Sequence, residues 1–157
     1  CGGSSMTGDR EDAALILLPA ASTSKAAADR FTGDVWVDTI TEGARPGSAR
    51  LATVRFSPGA RTAWHRHALG QALHVTGGQG LVTKEGQVIL MRPGDTVYTA
   101  PGVWHWHGAL PGRFMTHLAL ADSVRDTGLP DVEWGDLVTD AEYAAAATMA
   151  TTESSTP

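Results

Sequence analysis

The chain carries two His-x-His pairs. His65 and His67 lie in Gly59-Ala-Arg-Thr-Ala-Trp-His65-Arg-His67-Ala-Leu-Gly-Gln71, and His105 and His107 lie in Pro101-Gly102-Val-Trp-His105-Trp-His107. On a β-strand, residues i and i+2 point to the same face, about 6–7 Å apart at the backbone. Each pair can therefore aim two imidazoles at one point. Imidazole is the commonest metal-binding side chain and suits several first-row metals. A lone strand histidine is usually structural. Two pairs, a glutamine four positions beyond His67 and the surrounding glycines point instead to a metal site.

Elements of the right period surround these residues. From Phe31 to about Leu120, short β-like runs alternate with turn signals such as Ser57-Pro58-Gly59, Gly77-Gly78, Glu85-Gly86, Arg92-Pro93-Gly94-Asp95 and Pro111-Gly112. The predicted strands are Asp34–Asp38, Ala49–Phe56, Ala63–His67, Gln71–Thr76, Gly80–Lys84, Val88–Met91, Thr96–Thr99, His105–Gly108 and Arg113–Leu120. Their number and spacing predict an all-β antiparallel barrel or jelly roll. Alternation then sorts the side chains. His65 and His67 face inward with Trp64 and Arg66 outward, and Gln71 shares its face with Leu73 and Val75, leaving His74 on the other. His105 and His107 oppose Trp104 and Trp106, which read as packing or subunit-interface residues. His117 shares a face with Met115 and Ala119 on a strand that is otherwise apolar.

Residues 1–30 read as a flexible N-terminal arm, with a short strand near Leu15–Leu18. Residues 31–143 read as the barrel domain, and 144–157 as the end of a short C-terminal helix followed by a disordered tail over 151–157. Val132-Glu-Trp134 follows a loop. Thr139-Asp-Ala-Glu142 is a capping-box pattern that should open the helix.

The 157 residues fit one domain with a sizeable core. A net charge of −5, with no basic stripe, argues against nucleic acid or an anionic membrane surface as partner. No apolar run is long enough to span a bilayer. Cys1 is the only cysteine, so neither an internal disulfide nor a thiolate cluster is available. The chain is expected to be cytoplasmic, with Met6 the natural start. The alternative is an extracytoplasmic lipoprotein anchored through Cys1.

These motifs resemble the cupin superfamily. Its first motif runs Gly, five residues, His-x-His, three or four residues, Glu, six residues, Gly. Gly59, His65, His67 and Gly78 match it, with Gln71 where Glu is usual. Gly94, Gly102 and His105 match the second motif, whose proline is displaced to Pro101 and whose asparagine is replaced by Ala109. The chain is most similar to the small single-domain bacterial cupins that include manganese-dependent hydroxynitrile lyases. It shares Phe31-Thr-Gly, Pro58 to His65, Leu69-Gly-Gln71, His105-Trp-His107-Gly and Met115-Thr-His117-Leu-Ala with them.

That resemblance implies a cupin-type antiparallel jelly-roll barrel with a metal ion held by His65, His67, Gln71 and His105. It places His107 and His117 as the catalytic histidines and Ala52 and Val54 in the substrate pocket. The implied cofactor is one divalent ion, manganese first, with iron, nickel or zinc as alternatives. The implied reaction cleaves or forms a C–C bond next to a hydroxyl or carbonyl, as in cyanohydrin to aldehyde plus cyanide. Two other functions fit the same residues: a metal-dependent oxygenase and a non-catalytic small-molecule-binding cupin. Small cupins usually pair their barrels, so a homodimer or homotetramer is expected by analogy of fold.

Overall fold

The computed structural model describes residues 15–44 and 48–153. Among the described residues thirteen strands form, in chain order: β1 (Ser24–Lys25), β2 (Phe31–Thr32), β3 (Val35–Glu42), β4 (Ala49–Phe56), β5 (Arg61–Thr62), β6 (His65–His67), β7 (Gln71–Gly78), β8 (Gly80–Lys84), β9 (Gln87–Met91), β10 (Thr96–Thr99), β11 (Trp106–Ala109), β12 (Met115–Asp122) and β13 (Val132–Trp134). They are followed by α1 (Asp140–Glu153). A six-stranded sheet runs β1-β3-β4-β12-β7-β10, and a five-stranded sheet runs β2-β5-β11-β8-β9. A two-stranded sheet pairs β13 with β6.

Every pairing is antiparallel, and the inward residues of the two large sheets meet in one core. Val54, Phe56, Leu73, Val75 and Met115 enter it from the first sheet, with Val82 and Met91 from the second. The period of two explains the selection, since each of these strands alternates an inward apolar residue with an outward one. This is the expected jelly-roll barrel. Within it β4, β8 and β10 have the bounds read from the sequence.

The helix covers the outer face of the five-stranded sheet. Tyr143, Ala146, Ala147 and Ala150 pack on Leu81, Val88 and Trp106. Trp106 therefore faces away from the barrel interior, as alternation predicts, yet it is buried because α1 lies over it. The capping box forms. The Thr139 hydroxyl accepts from the Glu142 N–H at 3.1 Å, and a Glu142 carboxylate oxygen accepts from the Thr139 N–H at 3.3 Å. Arg61 ties this helix start to β5 by donating to the Val138 carbonyl at 2.9 Å and to Asp140 at 2.7 Å.

Several elements differ from expectation. Leu15–Leu18 forms no strand and is exposed, because Pro19 follows at once and the run lacks alternation. Within the expected arm, Ser24–Lys25 instead pairs with Val37 and Trp36. The predicted strand Ala63–His67 shortens to His65–His67, and a separate pair, Arg61–Thr62, forms just before it. Trp64 exchanges backbone hydrogen bonds with Gly135 and Asp136, which turns the chain out of the five-stranded sheet and into the pair with β13. His105 is not inside β11. It forms an isolated bridge with His65, and the strand starts at Trp106. The helix runs to Glu153, so residues 151–153 are helical where a disordered tail is expected, since the alanine-rich face keeps its contacts through Ala150. The remainder of that tail, and residues 1–14 of the arm, lie outside the described residues. No helix among the described residues is long and apolar enough to cross a membrane.

Candidate metal centre

Three segments carry the centre. β6 supplies His65 and His67, and the residue just before β11 supplies His105. The 65–105 bridge holds them together through two backbone hydrogen bonds of 2.9 and 3.0 Å. Gly70 lets the chain turn from β6 into β7. It sits at φ +79°, and a Cβ there would lie 2.8 Å from the Thr99 carbonyl oxygen. Gln71 follows directly as the first residue of β7.

His65, His67 and His105 are all buried, and each offers one nitrogen within 4.8 Å of the others. The His65 and His105 rings are 4.3 Å apart at their centroids. Their Nδ1 atoms are each 2.9 Å from a carbonyl oxygen two residues earlier, that of Ala63 and that of Val103. A carbonyl accepts only, so both Nδ1 atoms carry the hydrogen and both Nε2 atoms present a lone pair, the arrangement that prepares histidine for ligation.

The donor set fits a metal on independent grounds. The Nε2 of His105, both ring nitrogens of His67 and the Oε1 of Gln71 are buried without a hydrogen-bond partner among the described residues. Such orphaned polar atoms are costly unless something else binds them. Burial pushes the pKa of His65 well below its ordinary value, with the charges of His105 and His67 adding to the effect. Burial lowers His67 to about 4, with His105 adding to it, and burial also lowers His105. All three are therefore neutral at pH 7, the form that binds metal. The three neutral imidazoles bring no charge of their own, and neither does the Gln71 amide.

His107 and His117 lie beside this set. Their rings pack on Phe56 at 5.7 and 5.3 Å, and the His107 ring is 5.3 Å from that of His65. His117 Nε2 is 3.2 Å from His107 Nδ1. Burial pushes His107 well below the ordinary histidine range, reinforced by the neighbouring His117, and burial lowers His117 to about 4. Val54 is buried directly opposite His117 across the β4–β12 pairing. Ala52 lines a cleft of about 160 Å³ together with Gln71, Ala119, Thr39, Thr41 and Arg50. His74 faces away and meets the Thr96 hydroxyl at 2.7 Å.

Several contributors escape the sequence reading. Trp134 of β13 packs its ring on His65, 5.0 Å between centroids. The Thr62 hydroxyl lies 3.4 Å from His65 Nδ1 and accepts from the His107 N–H at 3.3 Å. Arg50 reaches the cleft from β4. Its signal is present in the sequence, since it is a charged residue in phase with the inward Ala52, Val54 and Phe56.

A jelly-roll barrel that converges three histidines on one interior point is the architecture of a cupin, and the chain belongs to that family. The cupin domain model matches residues 52–116. Within the family, the chain is 44% identical over 123 residues to an (R)-mandelonitrile lyase from Granulicella tundricola, covering 78% of this chain and 92% of the relative. It is 39% identical to the crystal structure of a cupin-like protein from Thermotoga maritima, with a TM-score of 0.73 over 78% of this chain and 92% of that one. A cupin 2 conserved barrel domain protein from Rhodopseudomonas palustris shares the fold, with a TM-score of 0.59 at 22% identity over 79% of this chain and 81% of that one.

Proposed function

We propose that this cupin is a metal-dependent lyase that cleaves or forms a C–C bond next to a hydroxyl or carbonyl, with a cyanohydrin as the model substrate. The observation that carries the reading is the buried His107–His117 contact beside the His65/His67/Gln71/His105 set. Kinship with a mandelonitrile lyase supports it.

A divalent ion held by His65, His67, Gln71 and His105, manganese being the first to test, would supply Lewis acidity toward a substrate oxygen. The protein's own residues do the rest. His107, the nearer of the pair to the donor set, takes the hydroxyl proton at its free ring nitrogen. His117 shares the resulting charge through the 3.2 Å contact. The C–C electron pair leaves with cyanide, the carbonyl forms, and His107 returns the proton to cyanide, so that atoms and charge balance. Ala52 and Val54 bound the side where the organic group sits, and Phe56 keeps water from the pair.

The test is cyanide release from racemic mandelonitrile by manganese-loaded protein against the same protein stripped of metal. Release that requires the metal is expected. A metal-replete protein that releases none would overturn the reading.

A further inference from the structure

The cleft against Gln71 contains a residue that a neutral cyanohydrin does not use. Arg50 sits on β4 between Glu42 of β3 and Ala121 of β12. Its side chain, 37% exposed, is the single charged group among the described residues lining that cleft. No carboxylate faces it from the cleft side. Its ion-pair partner Asp131 lies in a separate groove with Glu42, Ser123 and Arg125, and Arg50 lines both spaces. Arg50 thus borders both spaces, its guanidinium paired with Asp131 of the groove.

A positive group at the mouth of a cleft whose other described lining residues are uncharged selects for anions. A planar guanidinium fork matches a carboxylate in particular, with two parallel hydrogen bonds. We infer that Arg50 is a specificity-determining residue that grips a carboxylate on the substrate. The natural substrate is then a hydroxy or carbonyl compound with its reacting oxygen toward the histidines and a carboxylate toward Arg50. Asp131 occupies the guanidinium when the cleft is empty and yields it when the carboxylate arrives. This rests on the lyase reading above and takes the cleft lined by Gln71 and Ala52 as the place that receives the substrate.

The experiment compares binding of 3-hydroxybutyrate and its neutral isostere 3-hydroxybutyramide to the metal-loaded full chain by calorimetry. The wild type should favour the carboxylate by about tenfold or more, the usual scale of a charge-assisted hydrogen bond. Arg50→Gln should abolish that preference while amide binding persists. Asp131→Asn frees the guanidinium and should tighten the carboxylate severalfold, whereas a purely structural Arg50–Asp131 latch would leave it equal or weaker. Equal affinities in the wild type, a preference that survives in Arg50→Gln, or no gain in Asp131→Asn would each overturn the inference. If Arg50→Gln does not fold, Asp131→Asn decides alone. Cyanide release from mandelonitrile by the wild type is scored separately: release without anion preference overturns only the role of Arg50, and anion preference without release overturns only the lyase reading.

Discussion

His117 and His107 face each other across 3.2 Å, Nε2 to Nδ1, and both are buried. One hydrogen is shared between the two nitrogens, so the tautomer of one ring dictates that of the other. A proton accepted by His107 on its outer nitrogen is therefore felt at once by His117.

Removing either ring should silence the reaction while sparing the metal. His107→Ala and His117→Ala are each expected to lower kcat about 10²- to 10⁴-fold, the usual yield of a positioned acid–base group. Elemental analysis should find the metal at wild-type stoichiometry. Loss of metal from His107→Ala, or full activity in His117→Ala, would reassign their roles.

The ligand positions should behave in the opposite manner. His65→Ala, His67→Ala and His105→Ala should emerge from purification with metal depleted, and activity should fall with it. Gln71→Glu should hold the metal more tightly but turn over more slowly, because a carboxylate cancels one of the ion's two charges. Competition against a chelator and steady-state kinetics measure the two effects separately.

Acid should destabilise the metal-free protein over a defined interval. His67 and His117 sit at about 4 in the folded state, against an ordinary value of 6.5. The unfolded chain therefore binds more protons between those values, and stability rises with pH across them. The contribution is complete above pH 6.5 and is lost as pH falls toward 4, at about 1.4 kcal/mol per unit per histidine. Urea midpoints at pH 7 and pH 4.5 should differ accordingly. A flat profile would contradict the burial of uncharged imidazoles.

The capping box makes a smaller prediction. Thr139→Ala removes the acceptor for the Glu142 N–H and should cost about 1 kcal/mol. For a chain of this length that lowers Tm by roughly 2–4 °C. Calorimetric melting checks it, and activity should persist at temperatures below the transition.

What the sequence makes legible is what depends on period and turn chemistry. β4, β8 and β10 are bounded by turn residues, and their limits are readable to the residue. The face shared by His65, His67, Gln71 and His105 follows from the same alternation. What escapes depends on partners far along the chain. No local pattern marks the break between Thr62 and His65, because Gly135 and Asp136 cause it. Trp106 reads as outward, which is correct for the sheet, but its cover is a helix that only the tertiary fold lays over it. Arg50 shows the reverse case, legible in phase yet easily passed over because apolar residues dominate its face.

The strand β6 is held from both sides, by the His105 bridge on one edge and by β13 on the other. None of those three segments can hold His65 in place until the other two arrive from distant parts of the chain. Closing such long loops is slow and comes late in folding. A three-histidine site of His65, His67 and His105 is consequently complete only once the barrel has closed, whereas the His65/His67 pair alone offers two of its donors earlier.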